Sequence, residues 1–147
     1  MSVIDKPTTL QIDRQIWEQM RLDVARRAPE EACGLLAGQR QGNRLWGSCL
    51  FITTNLHHSP TRYRIDPHEQ MAAFNQMEAQ GLDLIGIYHS HPAGPDEPSP
   101  TDLAEAYYPE AAYLIWSRNN EEWACRAFAI QQACVTPVKI EILEAQA

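Results

Sequence analysis

Residues 84–91, Leu-Ile-Gly-Ile-Tyr-His-Ser-His, constrain this chain more than any other stretch. The run is apolar from Leu84 up to His89, as in a central strand buried on both faces. It ends in two imidazoles two residues apart. Side chains at that spacing share one face of a strand, so His89 and His91 can grip one ion from one side. Pro92 to Pro98 then holds three prolines and a glycine with no helical or strand pattern, which reads as a turning loop. The loop can bring Asp102 back as a third ligand. Two neutral imidazoles, one carboxylate and an open position suit a catalytic zinc that keeps a water, one ion per chain.

The four residues Ser99-Pro100-Thr101-Asp102 also read as a helix start, with Ser as N-cap, Pro at the first position and an acid at the third. Capping and ligation are compatible: a capped helix would hold Asp102 rigidly. One carboxylate oxygen could then face the metal while the other takes a supporting bond. Upstream, Glu30 and Glu31 precede the apolar run 31–38. A carboxylate at the edge of such a run has its pKa raised toward working pH, which suits a general base.

His89, His91 and Pro92, then six residues, Ser99, two residues and Asp102, with Glu31 four residues before Leu35-Leu36, resemble the motif of the JAMM (MPN-plus) metallopeptidase family. The resemblance covers about residues 31–117. It implies an α/β fold, a curved mixed β-sheet flanked by helices, with the whole chain, 1–147, forming one domain. It implies zinc on His89, His91 and Asp102, Glu31 as general base, and Ser99 as the donor that stabilises the oxyanion. It also implies hydrolysis of peptide or isopeptide bonds, often after the Gly-Gly tail of ubiquitin or a ubiquitin-like protein. Members that cleave polyubiquitin carry an insertion after the ligand Asp. Here only about ten residues separate Asp102 from the strand expected around Tyr113, as in compact bacterial members that act on ubiquitin-like sulfur carriers and release an amino acid. A ubiquitin-like or sulfur-carrier protein with a Gly-Gly tail is therefore the expected partner, its tail adding as a strand beside a sheet edge near the metal.

The competing reading is a zinc-stabilised MPN-type binding module without turnover. Modules of that kind usually lack motif residues, which this chain has. A deaminase needs His-x-Glu with Pro-Cys-x-x-Cys, and neither is present; nor is His-Glu-x-x-His. The net charge of −7 argues against a nucleic-acid partner and against anionic membranes. The opening residues show no apolar targeting core, so the cytoplasm is the expected location. Cys33, Cys49, Cys125 and Cys134 form no Cys-x-x-Cys pair and read as reduced, mostly buried thiols. Cys33, two residues from Glu31, is the candidate for a reactive thiol.

Elsewhere the patterning predicts a strand over 7–12 and a helix capped by Asp13, with Ile16, Met20 and Val24 as its apolar stripe and Pro29 as its stop. Strands follow at 31–38, 45–53 and 63–65, the first two joined by a loop over 39–43. Asp66-Pro67-His68-Glu69 starts a helix that ends at Gly81. Strands 112–117, 122–130 and 135–143 follow, the last two antiparallel, and Pro137 places the last at an edge or marks its start. His57, His58 and His68 have no ligand-spaced partner and read as surface residues. Tyr88 is expected to face away from the metal.

Overall fold

The structure, a computed structural model, describes residues 5–144. The opening stretch read for a targeting segment therefore lies partly outside the described residues. Seven strands and three helices follow in chain order: β1 (Thr9–Asp13), α1 (Arg14–Arg27), β2 (Cys33–Gln41), β3 (Arg44–Thr53), α2 (Pro67–Gln80), β4 (Asp83–His91), α3 (Pro100–Ala104), β5 (Ala112–Asn119), β6 (Glu122–Gln131) and β7 (Cys134–Leu143). The sheet is mixed, as expected, and it curves until it closes, in the order β1-β3-β2-β4-β5-β6-β7 with β7 beside β1. β1 runs parallel to β3 and β7, and β4 parallel to β5; the remaining pairs are antiparallel.

Alternation along the strands builds two cores. Leu10, Leu36, Leu45, Tyr88, Leu114, Ala127 and Val138, one or more from every strand, meet Met20 and Val24 of α1 inside the closed sheet. Leu35, Ile87, Tyr113, Ile115 and Phe128, one residue along on the same strands, pack under Ala73 and Met77 of α2. Each fully buried aliphatic side chain contributes about 1.5–3 kcal/mol, so the predicted stripe of α1 anchors it firmly. Central position on both counts explains why β4 has no polar residue between Leu84 and Tyr88. Among the described residues no helix is long and apolar enough to cross a membrane.

The helix boundaries follow their caps. Asp66 accepts from the His68 N–H, Pro67 opens α2, and Gly81 closes it at φ 67° with its N–H on the Met77 and Glu78 carbonyls. Asp13 stands at the N-cap of α1 but makes no capping bond. Its carboxylate instead accepts from the Trp46 indole N–H at 3.1 Å.

Four further expectations change. The β2–β3 connection is a tight turn at Gly42-Asn43 rather than a loop over 39–43, because Gln39, Arg40 and Gln41 continue the ladder opposite Trp46, Leu45 and Arg44. Residues 63–65 form no strand; Ile65 makes a single bridge to Asn55. Pro137 is not on an edge strand. It lies in the half of β7 that pairs only with β6, before pairing to β1 begins at Lys139, so its missing N–H breaks no ladder. Closure still leaves local free edges: β3 beyond Gly47 pairs only with β2, and β7 before Lys139 only with β6. All four cysteines are free, and only Cys33 is fully buried.

Candidate metal centre

The site forms where β4 leaves the sheet. His89 and His91 follow Ile87 on the face covered by α2, as their spacing requires, and both are buried. Their Nε2 atoms lie 3.0 Å apart. Asp102 Oδ2 reaches both, at 3.1 and 3.2 Å. The turn over 92–98 delivers Asp102 on α3, which starts with a complete capping box. Ser99 Oγ accepts from the Asp102 N–H at 3.0 Å, and the Ser99 N–H donates to Asp102 Oδ2 at 2.8 Å. One oxygen, Oδ2, therefore carries both the cap and the histidine contacts, instead of the expected division between two. The Ser99 amide, bonded to Oδ2, holds the carboxylate in that orientation. Because Ser99 Oγ serves the cap as an acceptor, its own proton remains free to donate.

His91 Nδ1 donates to the Pro95 carbonyl at 2.7 Å. A neutral His91 ring then presents a bare lone pair at Nε2, directly opposite a carboxylate oxygen. His89 Nδ1 is buried with no partner. In the neutral His91 ring the Nε2 lone pair and Asp102 Oδ2 face each other at 3.2 Å with no proton between them, a situation that a cation or a proton on His91 resolves. Burial pushes the Asp102 carboxyl up, but the two imidazoles and the Ser99 amide outweigh it and hold the group well below the carboxylate range. Burial lowers His89, whereas for His91 the contacts with Asp102 and Pro95 outweigh burial and raise it.

Glu31 faces this cluster from the segment before β2. It is only 3% exposed, and its ligand atom lies within 4.8 Å of those of His89 and His91, so the three form a group able to hold a metal ion. Asp102 Oδ2 is within hydrogen-bonding distance of both imidazoles, a contact the Glu31 carboxylate makes with neither, which favours Asp102 as their direct partner. Burial drives the Glu31 carboxyl up to about 8, helped by Asp102 and opposed by His91. Glu30, by contrast, is solvated, its side chain 47% exposed beside His58.

The backbone around Glu31 is fixed by three residues that sequence reasoning missed or passed over. The Glu31 N–H donates to the Ser59 carbonyl at 2.8 Å. Ser90, between the two histidines, accepts from the Ala32 N–H at 2.8 Å through Oγ and donates its own N–H to the Ala32 carbonyl. Asn55 uses all four of its hydrogen-bonding positions: Nδ2 donates to the Glu31 and Arg62 carbonyls, and Oδ1 accepts from His57 and Arg64 N–H. Tyr63 stacks on His89, centroids 4.4 Å apart and planes at 21°. Its one sequence signal was a lone aromatic between two arginines.

Tyr88 points away from the cluster, its hydroxyl on Asp23 Oδ2 at 2.8 Å, so the strand carrying the histidines is tied to α1. Cys33 is sealed against Thr53, and burial raises its thiol pKa, which removes it as a nucleophile. His57, His58 and His68 lie outside the cluster.

A curved mixed sheet that presents two histidines, a capped aspartate and a buried glutamate at the end of its central strand defines a hydrolase built around a metal centre. Residues 13–131 match the prokaryotic homologues of the JAB domain, and the chain belongs to that family. It is 37% identical to a Thermus thermophilus protein named as a probable TtuB-protein conjugate cleaving protease, over 84% of this chain and 77% of that one. It is 36% identical to the CysO-cysteine peptidase of Mycobacterium tuberculosis, over 79% of each. A solution structure from Desulfitobacterium hafniense superposes with a TM-score of 0.84 at 33% identity, covering 93% of this chain and 94% of the other. A JAB1/MPN domain protein from Archaeoglobus fulgidus shares the fold, with a TM-score of 0.57 at 17% identity over 92% of this chain and 98% of its own.

Proposed function

We propose that this protein is a zinc peptidase that cuts the peptide or isopeptide bond following the Gly-Gly tail of a ubiquitin-like sulfur-carrier protein and releases an amino acid or short extension. The convergence of His89, His91 and Asp102 opposite a buried Glu31 carries the reading. The relatives, a conjugate-cleaving protease and a peptidase that acts on a carrier–cysteine adduct by name, support the substrate class.

His89, His91 and Asp102 would hold one zinc through their Nε2 and Oδ2 atoms. Their mutual separations of 3.0–3.2 Å would let all three atoms face one small cation. When bound, zinc acidifies water at the site and polarises a carbonyl. Glu31 takes the proton of the attacking water and passes it to the leaving amine. Its raised pKa lets it carry that proton at neutral pH. Ser99, with its proton free, donates to the oxygen that becomes negative as the carbonyl is attacked. The Pro95 carbonyl holds the His91 ring in place throughout.

The connection from α3 to β5, residues 105–111, is too short to carry an insertion that would grip a second ubiquitin. The enzyme is therefore expected to process a carrier extended beyond its glycines and to leave diubiquitin largely intact. Mass spectrometry of such a carrier, before and after incubation with the zinc-loaded protein, reads the loss of the extension. Rapid cleavage of diubiquitin with no action on any extended carrier would overturn the substrate class and leave the hydrolytic chemistry.

A further inference from the structure

A cavity of about 550 Å³ lies beside the metal cluster. Ile87 and Tyr63 form part of its wall. Ile87 is two residues before His89 on the same strand face, which places the cavity about 7 Å along β4 from the first ligand. Tyr63 is the ring stacked on His89. The cavity thus begins where the cluster ends, and a single aromatic ring separates them.

Its polar rim is basic. Arg62, Arg64 and His57 line it, opposed by Glu105 alone among acids. In a chain of net charge −7 this local excess is unusual. The arginines in ion pairs among the described residues are Arg14, Arg21, Arg26, Arg27 and Arg126. Arg62 and Arg64 are not among them. Their backbone is nevertheless anchored: the Arg62 carbonyl and the Arg64 N–H both bond to the buried Asn55, which also holds the Glu31 carbonyl. The backbone of this stretch is therefore held in fixed relation to Glu31, and it carries two exposed guanidiniums that no carboxylate among the described residues pairs.

Resting on the proposed function, we propose that Arg62 and Arg64 make this cavity the reader of acidic side chains in the carrier's tail, three to five residues before the scissile bond. An extended peptide spans about 3.3 Å per residue. With two glycines at the cluster, the third residue back is the first whose side chain reaches the cavity. Both arginines line one cavity, so an extended partner with acids at alternate positions can meet the two together, which a single released amino acid cannot do. A basic tail meets repulsion at the same place, so the pair selects by attraction and by exclusion together.

The test compares extended carriers bearing Glu or Lys at the third and fifth residues before the bond, on the zinc-loaded protein. Exposed pairs of this kind predict a preference for Glu of about 5–30-fold in kcat/KM, carried mainly by KM and shrinking at high salt. R62E/R64E is expected to invert the preference, and the milder R62Q/R64Q, which retains the fold if the reversal does not, to bring the ratio near one. A wild-type ratio near one, or a ratio unchanged in both variants, overturns the proposal. If amidating the carboxylate of the released residue, rather than changing the tail, moves the rates, the arginines serve the leaving side and the proposal is wrong. Binding of fluorescent tail peptides to Glu31→Gln, which cannot turn over, reads the same preference separately. Absence of cleavage of every carrier would then refute the proposed function, while the peptide ratio still decides the role of the arginines.

Discussion

Replacing Glu31 with Gln should make the metal-free protein more stable, and increasingly so as pH rises. In the fold the carboxyl group is buried and titrates near 8, against 4.5 for an ordinary Glu. Below pH 4.5 the group is protonated in both folded and unfolded chains and costs nothing. Above that, the unfolded chain ionises freely while the folded one resists, so stability present at low pH is lost progressively as pH rises toward 8. A difference of about 3.5 pH units, at about 1.4 kcal/mol each, gives a ceiling of about 5 kcal/mol. Gln has nearly the same shape and no charge. The wild type and Glu31→Gln should therefore have similar urea midpoints at pH 4.5 in the presence of chelator, and diverge by several kcal/mol at pH 8.5. Burial lowers His89 in both proteins, and Asp102 and Pro95 raise His91 in both, so the only histidine contribution that differs between them is the part of the His91 shift that comes from Glu31. Saturating zinc should shrink the divergence, because a cation beside the carboxylate favours its ionised form. Parallel stability curves from pH 4.5 to 8.5 without metal would refute the argument that Glu31 sits uncompensated in a dry site.

Three other outcomes follow from the same geometry. His89→Ala should lower bound zinc from about one per chain to a small fraction by metal analysis, and equal zinc in both proteins would remove it as a ligand. Ser99→Ala should keep its zinc but lower kcat about 10²-fold with little change in KM, and lose about 1 kcal/mol of stability with the cap; an unchanged kcat would leave Ser99 as a cap alone. Asn55→Leu should destabilise the protein by about 2–5 kcal/mol in chemical denaturation, since four backbone groups lose their partner at once; a loss below 1 kcal/mol would show that water replaces those bonds.

Legibility of the site tracked sequence distance. His89, His91, Ser99 and Asp102 belong to one strand-loop-helix unit, so spacing and capping rules alone set their relation, and the capping box formed as those rules require. Glu31 was legible through its place beside Leu35-Leu36, and burial then separates it from Glu30. Asn55 and Tyr63 were hidden because a loop residue's side chain is positioned by what lies across space, 24 residues away at the Glu31 carbonyl and 26 at the His89 ring. The failed strand at 63–65 has the same origin: of its residues only Ile65 finds a partner, a single bridge to Asn55. Closure of the sheet depends on β1 meeting β7 across 130 residues, a parallel pairing that no local pattern encodes.

The two carboxylates around the histidines have opposite electrostatic fates, and that difference assigns their roles. Asp102 receives an N–H from Ser99 and the contact of two imidazoles on one oxygen, so it stays anionic across the working range. A permanent anion suits a ligand and is useless as a proton carrier. Glu31 is equally deep, yet its titration is set by burial and by neighbouring charge, with no hydrogen bond to fix the ionised form. It can hold a proton near neutral pH and release it when a positive charge arrives nearby. Pairs of acids driven apart in this way mark a division of labour between holding and transferring. The fold produces the division by simple means: Asp102 rides on a helix whose cap supplies a donor, whereas Glu31 precedes a strand whose backbone groups are already spent on Ser59, Asn55 and Ser90. Exchanging the two roles would require a donor at Glu31 and the loss of the cap at Ser99. A single substitution at either residue should therefore remove one function without transferring it to the other.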